Sequence, residues 1–519
     1  MGIFDIFSRK EKPVAGKRHL SDMYPGTRIP RVGTGGGFVG AIQDRLTDDF
    51  QGSELSANAA TYQSLDKLRA RSRQLYMSNP YANRFIQMVV SNVLGQDGIR
   101  LEARTKRDLD GDLDVTDNLT LEKSWSDWSK PQNCSVTGAQ SLRDIQKLVL
   151  STMCRDGEAF IRIHQVENND FGIELQVLEG DCLMTRHNQE LEDGNCIIMG
   201  VEQDVLGKPI AYHFVENNSL QLPAAQGVKT RTVKTVRVPA EEVIHVFIQD
   251  RPGQCRGIPW MAQSMRGLHM TEAYRESELV AARVAASKMA FYTSKHGDGY
   301  LGDDIDQDGN LIFEAEAGLI EQLPEGVELT TLDWSHPNSN MGEFVKSCLR
   351  GVASGLGVSY NALSNDLEGV NFSSIRAGVQ EEREVWRSMQ SFLADHLMTP
   401  LYEKWLSSVM LQQAVPFPPR KREKYLDVIW RHRGFSYVDP VKDQQAFEKA
   451  VSLGVMSRSE IAAQQGKDFK DILEEIAKED EMAYEMGVNI SPRQTMPIYP
   501  AMQDPEQAKG EFVEEPQDG

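Results

Sequence analysis

The residues best placed to do chemistry form the acidic run Asp304-Ile-Asp306-Gln-Asp308-Gly309, which begins like the loop of a calcium-binding helix-loop-helix. Such a loop needs a bidentate carboxylate at its twelfth position. That position is Ala315, with Glu314 and Glu316 bracketing it. A solvated acidic turn is the better reading. The run Asp108–Asp114 fails as well, with Val115 where the loop's glycine should sit. The glycine run Gly33-Thr-Gly-Gly-Gly37 lacks the Lys-Ser/Thr that ends a Walker loop and runs into Phe38-Val39 instead, so it reads as a linker. The ten histidines form no H-E-x-x-H, and no Cys/His spacing suits zinc. There is no G-x-S-x-G elbow. His245 alternates with apolar residues in Val243-Ile-His-Val-Phe247, the mark of a strand residue satisfied by a neighbour. No carboxylate pair is singled out for acid–base work. The expectation is therefore no catalytic residue, no metal site and no cofactor.

The chain around these residues is an ordinary globular one of 519 residues, 40% hydrophobic and 25% charged, enough for two to four modules. It carries 76 acidic against 56 basic residues, a net charge of −20. Proteins that grip nucleic acid concentrate basic residues, because phosphate neutralisation supplies most of the affinity. Either nucleic acid is no partner here or the protein must avoid holding it. The six cysteines include no C-x-x-C pair and are expected as reduced, mostly buried thiols of a cytosolic protein. Charges interrupt every apolar stretch well before membrane-spanning length.

Periodicity organises the chain into an α+β protein. Helices are predicted from Ala57 to a break at Asn79-Pro80, and from there to a stop at Gly95. Leu65, Leu68 and Leu75 share an apolar face, with Lys67, Arg69, Arg71 and Arg73 mostly off it. Residues 107–118 read as an acidic loop. After a helix over 142–153 come strands at 159–164, 173–178, 196–201, 210–215 and 243–247. A long helix is expected from Pro259 to about Tyr292, with a small-residue half, Ala281-Ala-Arg-Val-Ala-Ala-Ser287. Further helices are expected over 341–357, over 373–411 with Pro400 interrupting, and over 439–486 with divisions at Gly454 and Gly466.

Several strings, in order, resemble the portal family of lambda-like tailed phages: Ala70-Arg-Ser-Arg-Gln-Leu-Tyr-Met-Ser-Asn-Pro-Tyr-Ala-Asn-Arg84, Ile244-His-Val-Phe247 and Arg251-Pro-Gly-Gln-Cys-Arg-Gly-Ile-Pro-Trp260. Gly355-Leu-Gly-Val-Ser-Tyr360, Asn371-Phe-Ser-Ser-Ile-Arg-Ala-Gly378, Phe435-Ser-Tyr-Val-Asp-Pro-Val-Lys442 and Leu453-Gly-Val-Met-Ser457 continue the series. The resemblance covers about residues 60–480. It implies a portal fold with wing, long-helix stem, small clip and helical crown, assembled as a twelve-subunit ring around a duplex DNA channel at one capsid vertex. The implied layout is an extended arm over 1–55, a wing over 56–258, stem helices over 259–292 and 341–357, and a clip over 293–340. A channel loop over 358–372, a long wing helix and return over 373–438, a crown over 439–490 and a disordered tail over 491–519 complete it.

The resemblance further implies a virion protein assembled in the host cytoplasm. Its implied partners are a terminase large subunit as the separate motor, head-completion or tail connector proteins, and capsid and scaffold proteins. Twelve helices spaced about 9 Å apart enclose a circle roughly 34 Å across, leaving about 25 Å after one helix diameter, enough for a duplex. An acidic wall would let that duplex slide. Lys346 and Arg350, four apart on the 341–357 helix, are candidates for the channel wall, with Asn361, Asn365 and Asn371 on a mobile loop facing the DNA. Ala282, Ala285 and Ala286 are candidates for close subunit packing. The alternatives are another structural head protein, adaptor or capsid, and a nucleic-acid enzyme with an unrecognised carboxylate-metal site.

Overall fold

The computed structural model describes residues 54–107, 111, 113–167, 169–215, 235–286, 290–294, 304–305, 311–312, 327–331, 340–368, 371–435, 440–465 and 469–488. The chain divides into two units, Met1–Ala60 and Thr61–Gly519. Of the first, residues 54–60 are described, and they carry the opening turn of helix α1 (Ala57–Ser78), where Ser56 Oγ accepts from the Ala59 amide at 3.2 Å. The second unit holds the rest.

Asn79 ends α1 and caps α2 (Pro80–Val93), its side chain accepting from the amides of Tyr81 and Ala82. Strand β1 (Arg100–Ala103) is next in the chain. Residues 107–118, expected as a loop, contain the start of a helix, α3 (Val115–Trp128). Its cap Asp114 is held by Lys424 Nζ at 2.8 Å, a partner 310 residues away in sequence. The signal for this helix is present in Leu121, Trp125 and Trp128, buried at helical spacing. After a single turn, α4 (Pro131–Cys134), a capping box between Ser141 and Asp144 opens α5 (Leu142–Asp156).

Two antiparallel sheets come next. In the first, β2 (Glu158–Gln165) lies between β3 (Ile173–Glu179) and β9 (Val243–Phe247), with Phe160 opposite both Leu178 and His245. The second runs in sequence order through β4 (Gln189–Glu190), β5 (Cys196–Ile198), β6 (Val201–Gln203), β7 (Pro209–Val215) and β8 (Thr235–Pro239). The strand expected over 196–201 is two strands, because Met199 and Gly200 both take positive φ and form a two-residue hairpin turn.

The helix expected from Pro259 to about Tyr292 is shorter at both ends, as α6 (Met265–Ala286); residues 260–264 are turns, and Tyr292 belongs to the following strand. Strand β10 (Ala290–Ser294) pairs antiparallel with β13 (Val327–Thr331), and β11 (Asp304–Ile305) with β12 (Leu311–Ile312). Asp306, Asp308 and Gly309 of the acidic turn lie outside the described residues, as does the Gly33–Gly37 run. Then come α7 (Met341–Leu356), the short α8 (Tyr360–Ser364) and α9 (Phe372–Leu393). The α9 helix passes through a π-helical turn, Ala394–Met398, into α10 (Thr399–Leu411). The wide turn accommodates Pro400, which has no amide to donate. A 3-10 segment leads to β14 (Val428–Arg431), which pairs with β1. The last helices are α11 (Pro440–Ser452), α12 (Arg458–Gln464) and α13 (Phe469–Glu485). Gly454 divides them with φ +68, while Gly466 lies outside the described residues.

The main core joins α2, α3, α5, α9, α10 and the three-stranded sheet. At its centre Trp125 meets Trp128, Tyr402, Trp405 and Trp430 with ring centroids 5.0–6.0 Å apart. A second core, around Phe160, Tyr212 and Phe214, glues the two sheets.

Between these cores lies a buried ionic cluster, and it corrects one expectation. Arg69, grouped by its charge with basic residues mostly off the apolar face of its helix, is only 1% exposed. It pairs with Glu158, itself fully buried, and donates Nε to the Asp156 carbonyl at 3.1 Å. Arg256 Nε donates to Glu158 at 2.8 Å, and its other nitrogens reach the carbonyls of Met199 and Gly180. His245 Nε2 and the Gly257 amide bind the second carboxylate oxygen at 3.0 and 2.9 Å. Burial opposes ionisation of Glu158, but Arg256, Arg69 and His245 outweigh it and hold the carboxyl well below its ordinary range. His245, sandwiched between Phe160 and Phe247, is kept neutral by burial. It is the satisfied strand histidine expected from the alternation.

Removing one partner strands the opposite charges in the interior. Glu158→Gln should cost about 3–5 kcal/mol in urea unfolding. A depressed folded pKa means that the carboxylate's contribution is complete above 4.5 and lost as pH falls through the folded value. His245, neutral when folded, adds a loss that begins as pH falls below 6.5. The variant should therefore lose part of the acid limb of the stability profile; an unchanged limb would contradict this account.

Candidate functional site

Helices α6 and α7 pack antiparallel. At one end Ser264 Oγ donates to the Val352 carbonyl at 3.0 Å. A Cβ on Gly355 would come within 2.4 Å of that hydroxyl, so glycine is what permits the approach. Farther along, Tyr274 and Phe344 meet edge-on with centroids 5.1 Å apart. Leu268, Thr271 and Glu278 form the buried stripe of α6, and Leu349, Val352, Ala353 and Leu356 that of α7. The pair also leaves large apolar side chains in water at several points around it. Met270, Leu279 and Val280 of α6 are 59, 62 and 50% exposed, and Phe344 of α7 is 53% exposed.

Ala282 is half-buried near the end of α6. Ala285 and Ala286 belong to the last turn of the helix, and their side chains lie outside the described residues.

The structure brings Lys346 and Arg350 together with the segment after α7. Lys346 Nζ stands 3.5 Å from Asp366 and 3.6 Å from Glu368. The Asp366 charge raises the lysine's pKa above its ordinary value. Asp366 also accepts from the Tyr360 hydroxyl at 2.8 Å, which pulls its own pKa down. Arg350 lies over the Tyr360 ring at 5.5 Å. Both cations are thus engaged within the subunit by one aromatic and two carboxylates. Sequence spacing placed the two cations on one face but did not show this latch, because its acids lie beyond a turn.

Residues 358–372, expected as one loop, are partly ordered by Ser359, which caps α8 through the Ala362 amide at 3.3 Å. Asn361 sits within that helix, half-buried. Asn365 ends it in the left-handed region, φ +56, a conformation asparagine tolerates. Asn371 is exposed just before α9. Among the described residues, no group of three or more His, Cys, Asp or Glu could hold a metal ion, and no helix is long and apolar enough to cross a membrane. All six cysteines are free, with Cys134, Cys154 and Cys255 buried.

The profile of the family described as "Phage portal protein, lambda family" matches residues 43–390. The "Probable portal protein" of Halomonas phage phiHAP-1 is 34% identical over 499 residues, covering 94% of each chain. "Portal protein B" of Escherichia phage lambda is 21% identical, over 86% of this chain and 88% of its own. The "Portal protein" of Escherichia phage N15 is 22% identical, over 88% and 91%. Likeness to solved structures is remote. A chain in the neck of an empty gene transfer agent particle shares 12% identity at a TM-score of 0.43, over 78% of this chain and 94% of its own. The chain belongs to the lambda family of phage portal proteins.

Proposed function

We propose that this protein forms a closed ring of about twelve copies around a channel for duplex DNA, at one vertex of a phage capsid. The role is structural rather than catalytic. A terminase motor drives DNA in through the ring, tail or head-completion proteins attach to it, and the DNA later leaves by the same path. Capsid and scaffold proteins surround it during assembly in the host cytoplasm. In this reading α6 and α7 are the stem, the β10–β13 pair begins the clip, and α11–α13 form the crown.

The observation that carries the ring is the exposure of four large apolar side chains around the α6–α7 pair, Met270, Leu279, Val280 and Phe344. Large apolar side chains left in water around a helix pair suit a surface for neighbours on its flanks. A copy rotated about a common axis would cover it, and head-to-tail contacts of this kind close into rings. The net charge of −20 supports a channel that does not grip phosphates. Lys346 and Arg350 are read as sparse cations of the channel wall, and Asn361, Asn365 and Asn371 as polar residues of the adjoining loop. Ala282, Ala285 and Ala286 are read as the close-packed end of the stem helix.

Negative-stain class averages should show rotational symmetry near twelvefold; monodisperse monomers at micromolar concentration would sink the reading. Ala282→Leu should cost roughly 1–3 kcal/mol per subunit by overpacking. Repeated around a ring, it should impair assembly, read by light scattering, more than subunit folding. Normal assembly would remove the stem end from the interface.

Lys346→Ala with Arg350→Ala should leave assembly intact and reduce retention of the packaged genome. The loss of cations acts on phosphates directly and also releases the 360–368 segment from α7. Unchanged packaged length and infectivity in the double variant would return these residues to ordinary surface.

A further inference from the structure

Away from the stem, a groove of about 430 Å³ opens between α9, the segment 433–435, α11 and the end of α12. Phe435 lines it, and three guanidinium groups approach that ring: Arg383 at 5.3 Å and Arg387 at 5.8 Å within the groove, and Arg433 at 5.6 Å from outside it, held by the Ser91 carbonyl and Asn92 Oδ1. Phe447 lines the groove, and Gln464 and Gln465 add amides. The acids nearby are largely engaged: Asp443 by Arg376 at 2.5 Å, and Glu384 by Arg387. Burial, then repulsion from Arg387 and Arg433, lowers the Arg383 pKa, a sign that positive charge is crowded here. A slot with aromatic walls, guanidinium groups and amide donors suits an acidic peptide that carries one aromatic side chain.

The chain contains such a peptide. Residues 504–519 hold Asp504, Glu506, Glu511, Glu514, Glu515 and Asp518 against the single cation Lys509, and their one aromatic residue is Phe512. Reach is sufficient. The 17 residues of α13 lead away from α12 by about 25 Å. The stretch from Val488 to Glu511 spans up to about 75 Å when extended, enough to return. We propose that the C-terminal segment 504–519 docks in this groove, with Phe512 against Phe435 and its flanking glutamates against Arg383 and Arg387. Docked, the segment ties α11 and α12 to α9. Duplex phosphate is the weaker occupant, because it has no apolar group to set against Phe435 and Phe447, whereas the segment brings Phe512.

The test is limited digestion of the full chain with a protease that cuts after aromatic residues, following the Phe512 cut by mass and comparing it with a synthetic 504–519 peptide. The cut in the chain should be slower by about tenfold, since cleavage tracks the open population. Molar salt should abolish the difference. Glu514→Lys with Glu515→Lys, which leaves the folded part untouched, should remove the protection relative to a peptide with the same changes. So should Arg383→Glu with Arg387→Glu. The two pairs combined should restore it. Equal rates in chain and peptide would overturn the proposal, and so would protection that survives either pair. A free tail, with Arg383→Glu/Arg387→Glu weakening the hold on a short DNA duplex, would overturn it and assign the groove to phosphate.

Discussion

The structure depends on a single buried carboxylate. Glu158 begins β2 and takes its four partners from three other places: Arg69 on α1, His245 on β9, and Arg256 and the Gly257 amide on the segment leading to α6. A carboxylate moved out of water is tolerable only when every lone pair finds a donor and its charge is met. Here the requirement locates two sheets, one helix and the root of another at one point. The backbone closes as tightly as the charges. Gly157 takes φ +92, and a Cβ on it would lie 2.4 Å from the Ile258 carbonyl carbon, so only glycine lets segment 256–258 lie against the α5–β2 junction.

That junction sets the course of the exposed helix pair. Beyond Arg256 and Gly257 the chain turns at Ser264 and enters α6, whose first turns are buried through Met265 and Leu268. The direction in which the helix leaves the core is thus determined by residues that no solvent reaches. The α7 helix is then positioned by Ser264, Val352 and Gly355, and its cations by Asp366, Glu368 and Tyr360. Exposed apolar side chains and a latched polar segment stand on a root held by ion pairs.

Internal pairing also governs the charge of the folded chain. Arg69, Arg73, Arg256, Arg237, Lys346 and Lys424 all direct their charge at acids of the same chain. Arg237 binds Glu202 through two nitrogens and, with burial opposing and His213 adding, holds that carboxyl at about pKa 2. Cations engaged in this way offer little to a passing polyanion, which strengthens the acidic average of the sequence. Around Phe435 three guanidinium groups gather on one ring, a denser grouping of cations, although Arg387 pairs with Glu384 there as well.

The sequence alone carried the class of the protein, most of its helices and the ordered strings that place it among portal proteins. Helix α7, with its cap at Gly357, and the Asn79-Pro80 break follow from periodicity and capping, which are local properties of the chain. The interruption of the long helix at Pro400 follows from the missing amide. The features that stayed hidden were decided by partners distant in sequence. The start of α3 leans on Lys424, β1 needs β14, and an arginine at the edge of an apolar helix face is buried as an ion because Glu158 awaits it. The latch on Lys346 is hidden for the same reason: a lysine looks alike in sequence whether solvent or a folded-back acid will neutralise it, and only the tertiary structure brings that acid within reach.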